Sequence, residues 1–172
     1  MAPRLAFGDV SSTVIHSIFS APSLFQYNER MERKVALIAG AGGIVGRALM
    51  ELLQNRDDWR VIGLSRRPVP ELGAMRHVCV DLMDARSVQA SRDLLRDTTH
   101  VFYTAYHQRP TSAEEVAPNF DMLRNLVETV ESVAPNLRHV QLIHGSKWYG
   151  SHYGAYRTPA REDQPRHPMA MF

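Results

Sequence analysis

The sequence has almost no cysteine or lysine and contains no long apolar run. Cys79 stands alone, which excludes a disulfide framework and fits a reducing compartment such as the cytosol. It sits inside an apolar stretch and reads as a small buried hydrophobe. Lysine occurs only at positions 34 and 147; the other basic residues are arginines interspersed with acids, for a net charge of +2. That distribution offers no basic stripe for a nucleic acid. Between Val10 and Asn28 there is no charged residue, yet Ser, Thr, His, Pro, Gln and Asn interrupt the segment throughout. It is too polar to span a bilayer. Its apolar core is too short, and the basic charge before it too sparse, for a secretory signal. Its richness in Ser and poverty in acids are shared with transit peptides, but Arg4 is the only arginine or lysine before Arg30. Residues 1–33 are therefore expected to be a disordered or non-native extension. His144 and His152 have no Cys or acidic partner at ligand spacing, so no metal site is expected.

With 172 residues and 44% hydrophobic composition, the chain can bury one sizeable core. Residues 34–172 read as that domain. It is organised around Lys34 to Gly46. Val35, Leu37 and Ile38 give a short apolar run of the kind found in a strand buried on both faces. Gly40, Gly42, Gly43 and Gly46 follow, and then Val45, Ala48, Leu49, Leu52 and Leu53 recur at helical spacing. A strand, a glycine-rich turn and an amphipathic helix, in that order, are the context of a dinucleotide site. The turn needs backbone freedom at Gly40, a bare approach for pyrophosphate at Gly43, and close helix packing at Gly46. The helix N-terminus then offers N–H donors and partial positive charge to phosphate.

Trp59 to Leu64 reads as the second strand and ends in Ser65-Arg66-Arg67-Pro68. An NAD site uses an acidic residue about 20 residues past the glycines to bind the ribose 2′-hydroxyl. Here that place holds Ser65 and two arginines, whose guanidinium forks suit a 2′-phosphate. NADP(H) is therefore expected over NAD. His77 to Val80 reads as a third strand followed by Asp81-Leu82. Asp81 can border an adenine or cap the segment Ala85 to Arg96, a weak helix carried by Val88, Leu94 and Leu95. Thr99 to Tyr103 is a fourth strand, with Thr104-Ala105 at its end. A long helix is expected from about Pro118 to Val133, burying Phe120, Leu123, Val127 and Val130. His139 to Ile143 is the fifth strand, ending in His144-Gly145-Ser146-Lys147. Right-handed crossovers then predict an α/β, Rossmann-type doubly wound parallel sheet of strand order 3-2-1-4-5.

Several of these features together resemble the short-chain dehydrogenase/reductase superfamily. They are the glycine turn with Ile44-Val45, the Ser65 to Pro68 stretch, Asp81, the Thr99 to Tyr103 strand and Gly145-Ser146-Lys147. Within the superfamily they are most similar to its progesterone 5β-reductase/iridoid synthase-like branch, over about Lys34 to Phe172. Members of that branch are NADPH-dependent reductases of activated carbon–carbon double bonds, mostly enones. The resemblance implies that Gly40, Gly43, Ile44 and Val45 hold the pyrophosphate. It implies that Ser65, Arg66 and Arg67 hold the 2′-phosphate, that Asp81 and Leu82 border the adenine, and that Thr104 and Ala105 line the inner cofactor path. Lys147 matches the family's active-site lysine. A cation there favours a phenolate or an enolate and can bond the nicotinamide ribose.

The family's second catalytic group is a tyrosine in an aromatic-rich stretch expected near Phe172. No Tyr-x-x-x-Lys occurs here, since Ile143 stands four residues before Lys147, and Tyr149, Tyr153 and Tyr156 match no family position. The expectation is a domain truncated before that tyrosine, with the fifth strand as a possible bare edge. Three readings stay open: an enone reductase, a non-catalytic NADP(H)-binding module, and an inactive truncated product. Micromolar or weaker NADPH binding with little or no turnover is expected. No nucleic-acid or membrane partner is expected. Met31 is predicted to open the natural protein; N-terminal sequencing checks this, and an intact Met1 end refutes it.

Overall fold

A computed structural model describes residues 33–69, 76–151, 154, 155 and 157–164. The expectations for residues 1–32, including the start at Met31, and for His152, Tyr153 and Tyr156 lie outside the described residues. Five strands form one sheet: β1 (Lys34–Ala39), β2 (Trp59–Ser65), β3 (Arg76–Cys79), β4 (His100–Tyr103) and β5 (His139–Leu142). Their order is β3-β2-β1-β4-β5 and every pairing is parallel. The helices are α1 (Ile44–Gln54), α2 (Ala85–Ala90), α3 (Arg92–Leu95) and α4 (Ser112–Val133), with a 3₁₀ turn at Ser146–Tyr149. The doubly wound architecture is the one expected. Among the described residues, no helix is long and apolar enough to cross a membrane.

β1 explains the layering. Its residues alternate between two cores because successive side chains of a strand leave opposite faces. Val35, Leu37 and Ala39 join Met122, Leu126 and Val130 of α4, Val88 of α2 and Leu95 of α3. Ala36 and Ile38 join Met50 and Leu53 of α1 on the other face. Covering both faces is why β1 reads as a continuous apolar run and not as an alternating one. Thr99 strengthens the seam between β1 and β4. Its hydroxyl accepts from the Val35 N–H at 2.8 Å and donates to the Val35 carbonyl at 3.2 Å.

Local differences from the sequence reading have physical causes. α1 buries Gly46, Met50 and Leu53, whereas Val45 and Leu52 are exposed. The glycine, with no side chain of its own, marks the packed stripe. α4 begins at Ser112, with Pro118 inside it, and not at Pro118. Thr111 caps it, its hydroxyl accepting from Glu114 N at 3.4 Å and donating to Glu114 Oε1 at 2.9 Å. The Thr111 side chain is a helix cap that the proline obscured. The earlier start goes with a different buried face: Glu115, Met122, Leu126, Thr129 and Val130 are buried, and Phe120 is exposed. The segment from Ala85 divides at Ser91 into α2 and α3, and Leu94 is exposed. β3 begins one residue earlier than expected, and Cys79, on this edge strand, is exposed and not buried.

Candidate functional site

The strand order reverses at β1, so the chain leaves the carboxyl ends of β1 and β4 toward opposite faces of the sheet. A crevice opens at such a point, here with a volume of about 640 Å³. Its floor is the glycine turn. Gly40 has φ of +85°, and both Gly40 N and Ala41 N donate to the Leu64 carbonyl, at 2.9 and 3.0 Å. A Cβ on Gly40 would sit 2.8 Å from Ala105 N, and one on Gly46 would sit 2.2 Å from the Gly40 carbonyl oxygen. The turn is thus pressed between β4 and α1 with no room for side chains. Gly43 caps α1 without a side-chain hydrogen bond, and the first turn of α1 holds no acid. The first-turn N–H groups of a helix have no intrahelical acceptor. Those of Ile44 and Val45 are therefore suited to an anion, although both side chains are exposed.

One wall comes from the end of β2. Ser65, Arg66, Arg67 and Pro68 line it. Ser65 Oγ donates to the Arg67 carbonyl at 2.6 Å and lies 2.7 Å from His77 Nε2. Burial pushes the His77 imidazole below its usual range and so favours the neutral ring. Ser65 thereby shapes the loop that presents the two guanidinium groups. Both arginines are exposed, and neither has a carboxylate partner among the described residues. Arg47 also lines the crevice, with Nε donating to the Gly42 carbonyl at 3.2 Å. A cation in the first turn of a helix runs against the helix dipole, and a bound anion would relieve that conflict. Among the described residues, no Asp or Glu lines the crevice.

The opposite wall comes from the end of β4. Thr104 and Ala105 line it, and Thr104 Oγ1 donates to the Ala39 carbonyl at 2.7 Å, tying β4 to the end of β1. Leu82 also lines the crevice and is buried. Its carbonyl accepts from Asn125 Nδ2 at 3.0 Å. Asp81 does not line it; its carboxylate accepts from Met83 N at 3.0 Å, while Asp84 caps α2 through Arg86 N. Tyr103 is a neighbour of a different kind: burial pushes its phenol up to about 12, and it stays a neutral core residue.

The structure therefore brings Gly40, Gly43, Ser65, Arg66, Arg67, Leu82, Thr104 and Ala105 to one crevice. Lys147 lies outside its lining, in the 3₁₀ turn after β5, but its Nζ is 3.3 Å from the Tyr106 hydroxyl, and Tyr106 does line it. Arg47, Tyr106, His107 and Met122 were not legible as site residues. Arg47 falls on the first turn after the glycines, which is the one available signal. The other three arrive through the β4 loop and α4.

Comparisons with known proteins follow the same outline. A family model described as a PRISE-like Rossmann-fold domain matches residues 79–169. The 3-oxo-Delta(4,5)-steroid 5-beta-reductase of Arabidopsis thaliana is 38% identical over 144 residues, covering 77% of this chain and 37% of that protein. The (S)-8-oxocitronellyl enol synthase of Nepeta racemosa is 35% identical over 149 residues, covering 80% of this chain and 38% of that protein. The chain thus spans 37 to 38% of the length of these curated relatives. Among solved structures, a short-chain dehydrogenase/reductase superfamily protein from Agrobacterium tumefaciens with bound NAD is similar. Its TM-score is 0.62 at 21% identity, over 79% of this chain and 40% of that one. Yeast methylglyoxal/isovaleraldehyde reductase complexed with NADPH gives a TM-score of 0.58 at 18% identity, over 67% of this chain and 38% of that one. At these identities the structural likeness speaks to the fold.

The close packing at Gly46 gives a direct prediction. Gly46→Ala should force α1 away from the glycine turn and lower stability by about 2–3 kcal/mol, the scale of overpacking a tight contact. Urea unfolding checks it, and an unchanged midpoint would contradict the packing described.

Proposed function

The chain belongs to the PRISE-like Rossmann-fold family, and from that membership we propose that residues 34–172 form the NADP(H)-binding domain of a short-chain dehydrogenase/reductase-like protein. Its chemistry would be NADPH-dependent reduction of an enone-type double bond in a small molecule. The names of the reductase and enol synthase relatives support the reaction class. The observation that carries the cofactor reading is the crevice itself: bare glycine backbone at its floor and, among the described residues, three arginines and no carboxylate on its lining.

Each part of the cofactor has a complementary surface. The pyrophosphate is assigned to the backbone of Gly40, Gly43, Ile44 and Val45: the two glycines leave a bare surface, and the first-turn N–H groups of Ile44 and Val45 supply the donors. The 2′-phosphate is assigned to the loop of Ser65, Arg66 and Arg67. An NAD site would want an acid at that place to accept from a ribose hydroxyl, and an acid would repel a phosphate. Leu82, with Asp81 beside it, borders the adenine, and Thr104 and Ala105 line the path inward. When bound, NADPH supplies a hydride. Lys147 is the residue we assign to the reacting end, where its ammonium would stabilise enolate charge and donate to a ribose hydroxyl.

One observation favours a second reading, a non-catalytic NADP(H)-binding module. The hydroxyl to which Lys147 donates belongs to Tyr106, and its proton is already donated to Glu115. Oxidation of NADPH in the presence of a conjugated enone separates the two readings. Cofactor preference is tested by titrating NADPH and NADH into the wild-type protein and Arg66→Ala. The variant should lose about tenfold in NADPH affinity, the size of one charge-assisted hydrogen bond at a partly exposed site. NADH affinity should change little. Equal losses for both would remove the argument for the 2′-phosphate.

A further inference from the structure

Tyr106, Glu115 and the sequence-distant Lys147 meet on the β4 side of the crevice. Glu115 lies in the first turn of α4 and is only 5% exposed. Its Oε1 accepts from Arg109 N at 3.3 Å. Its Oε2 accepts the Tyr106 hydroxyl proton and lies 3.6 Å from Lys147 Nζ. Lys147 Nζ in turn donates to the Tyr106 oxygen at 3.3 Å and stands 5.7 Å from the centre of its ring. One turn further along α4, Asn119 pins the same loop, accepting from His107 N at 2.8 Å and donating to the His107 carbonyl at 2.9 Å.

A buried carboxylate is costly unless it is paired and hydrogen-bonded. The carboxylate uses both oxygens as acceptors, one for Arg109 N and one for the Tyr106 hydroxyl, where a neutral amide has a single acceptor oxygen. A neutral amide would also lack the charge that draws in Lys147 from a turn beyond another strand. Here the carboxylate, the phenol and the ammonium form a continuous chain in which the tyrosine accepts from the lysine and donates to the glutamate.

We propose that Glu115 and Tyr106 are positioning residues for Lys147, holding its ammonium beside Tyr106 at the edge of the crevice with N–H donors left for a bound ligand. An ammonium carries three donors; one is given to Tyr106, and Glu115, 3.6 Å away, is an ion-pair partner beyond hydrogen-bond distance. A remaining donor is assigned to a ribose hydroxyl or an enolate oxygen, so the assignment rests on the cofactor reading given above. The electrostatics agree with the geometry. The Tyr106 hydrogen bond, reinforced by the Glu115 charge, raises the Lys147 pKa. The Tyr106 hydrogen bond lowers that of Glu115, with Lys147 adding to the effect. Burial, then the bond to Glu115, raises that of Tyr106. The Lys147 contribution is therefore complete at neutral pH and is lost as pH rises through its raised pKa. The Glu115 contribution is lost as pH falls through its lowered one.

Having only two lysines makes this testable directly. In protein labelled with ¹³C,¹⁵N-lysine, the side-chain signals belong to Lys34 and Lys147, and Lys34→Arg assigns them. Glu115→Gln and Tyr106→Phe should each move the Lys147 titration midpoint down from its wild-type position. Glu115→Gln should also weaken NADPH by about fivefold, the loss expected when a charge-assisted donor is no longer held in place. A Lys147 midpoint that stays put in both variants would overturn the coupling. So would a moved midpoint with unchanged NADPH affinity, since the lysine would then serve no ligand. Should Glu115→Gln fail to fold, Tyr106→Phe carries both measurements. Absence of NADPH binding by the wild-type protein would instead refute the cofactor reading, and the titration alone would then judge the coupling.

Discussion

Everything about the site depends on how closely α1 approaches the end of β1. Gly46 lies so near the Gly40 carbonyl that an added Cβ would be 2.2 Å from its oxygen. That contact aims the N-terminus of α1 into the switch point of the sheet. It also leaves the turn as bare backbone, with Gly40 at a positive φ that other residues rarely adopt. Anion binding follows from donors that the helix cannot satisfy internally and from a surface with no side chain to intervene. The arginines at the end of β2 add charge to a crevice that the backbone has already shaped.

The fold was legible because its signals are local and repeat the physics of burial. A strand covered on both faces reads as the unbroken run of Val35 to Ile38, and the segments after β1 and β4 are long enough to show a helical period. The miscalls occur where two local signals compete. Pro118 resembled a helix start, yet Thr111 and Glu114 had already capped the helix, and Pro118 sits one and a half turns further in. Cys79 resembled a core residue because its neighbours are apolar. On an edge strand, however, an apolar stretch need not be covered on both faces, and Cys79 is exposed.

The site was legible on one side and opaque on the other. Gly40, Gly43, Ser65, Arg66 and Arg67 lie within a continuous strand–turn–helix–strand unit, so their spacing carries their geometry. Tyr106 and Glu115 belong to a loop and the helix it leads into, Lys147 to a turn beyond another strand, and nothing in their spacing shows that they touch. No Tyr-x-x-x-Lys occurs, since Ile143 stands four residues before Lys147. The hydroxyl that Lys147 bonds is that of Tyr106, from the loop after β4, with the buried Glu115 carboxylate behind it.

The central claim is that phosphate oxygens meet bare backbone at the start of α1. Amide ¹⁵N–¹H spectra of the protein titrated with NADPH address it most directly. The account predicts the largest shifts at the N–H groups of Gly43, Ile44 and Val45, with Arg66 and Arg67 moving in step and saturating together. Saturable shifts confined to other parts of the sheet, or none at all, would contradict it.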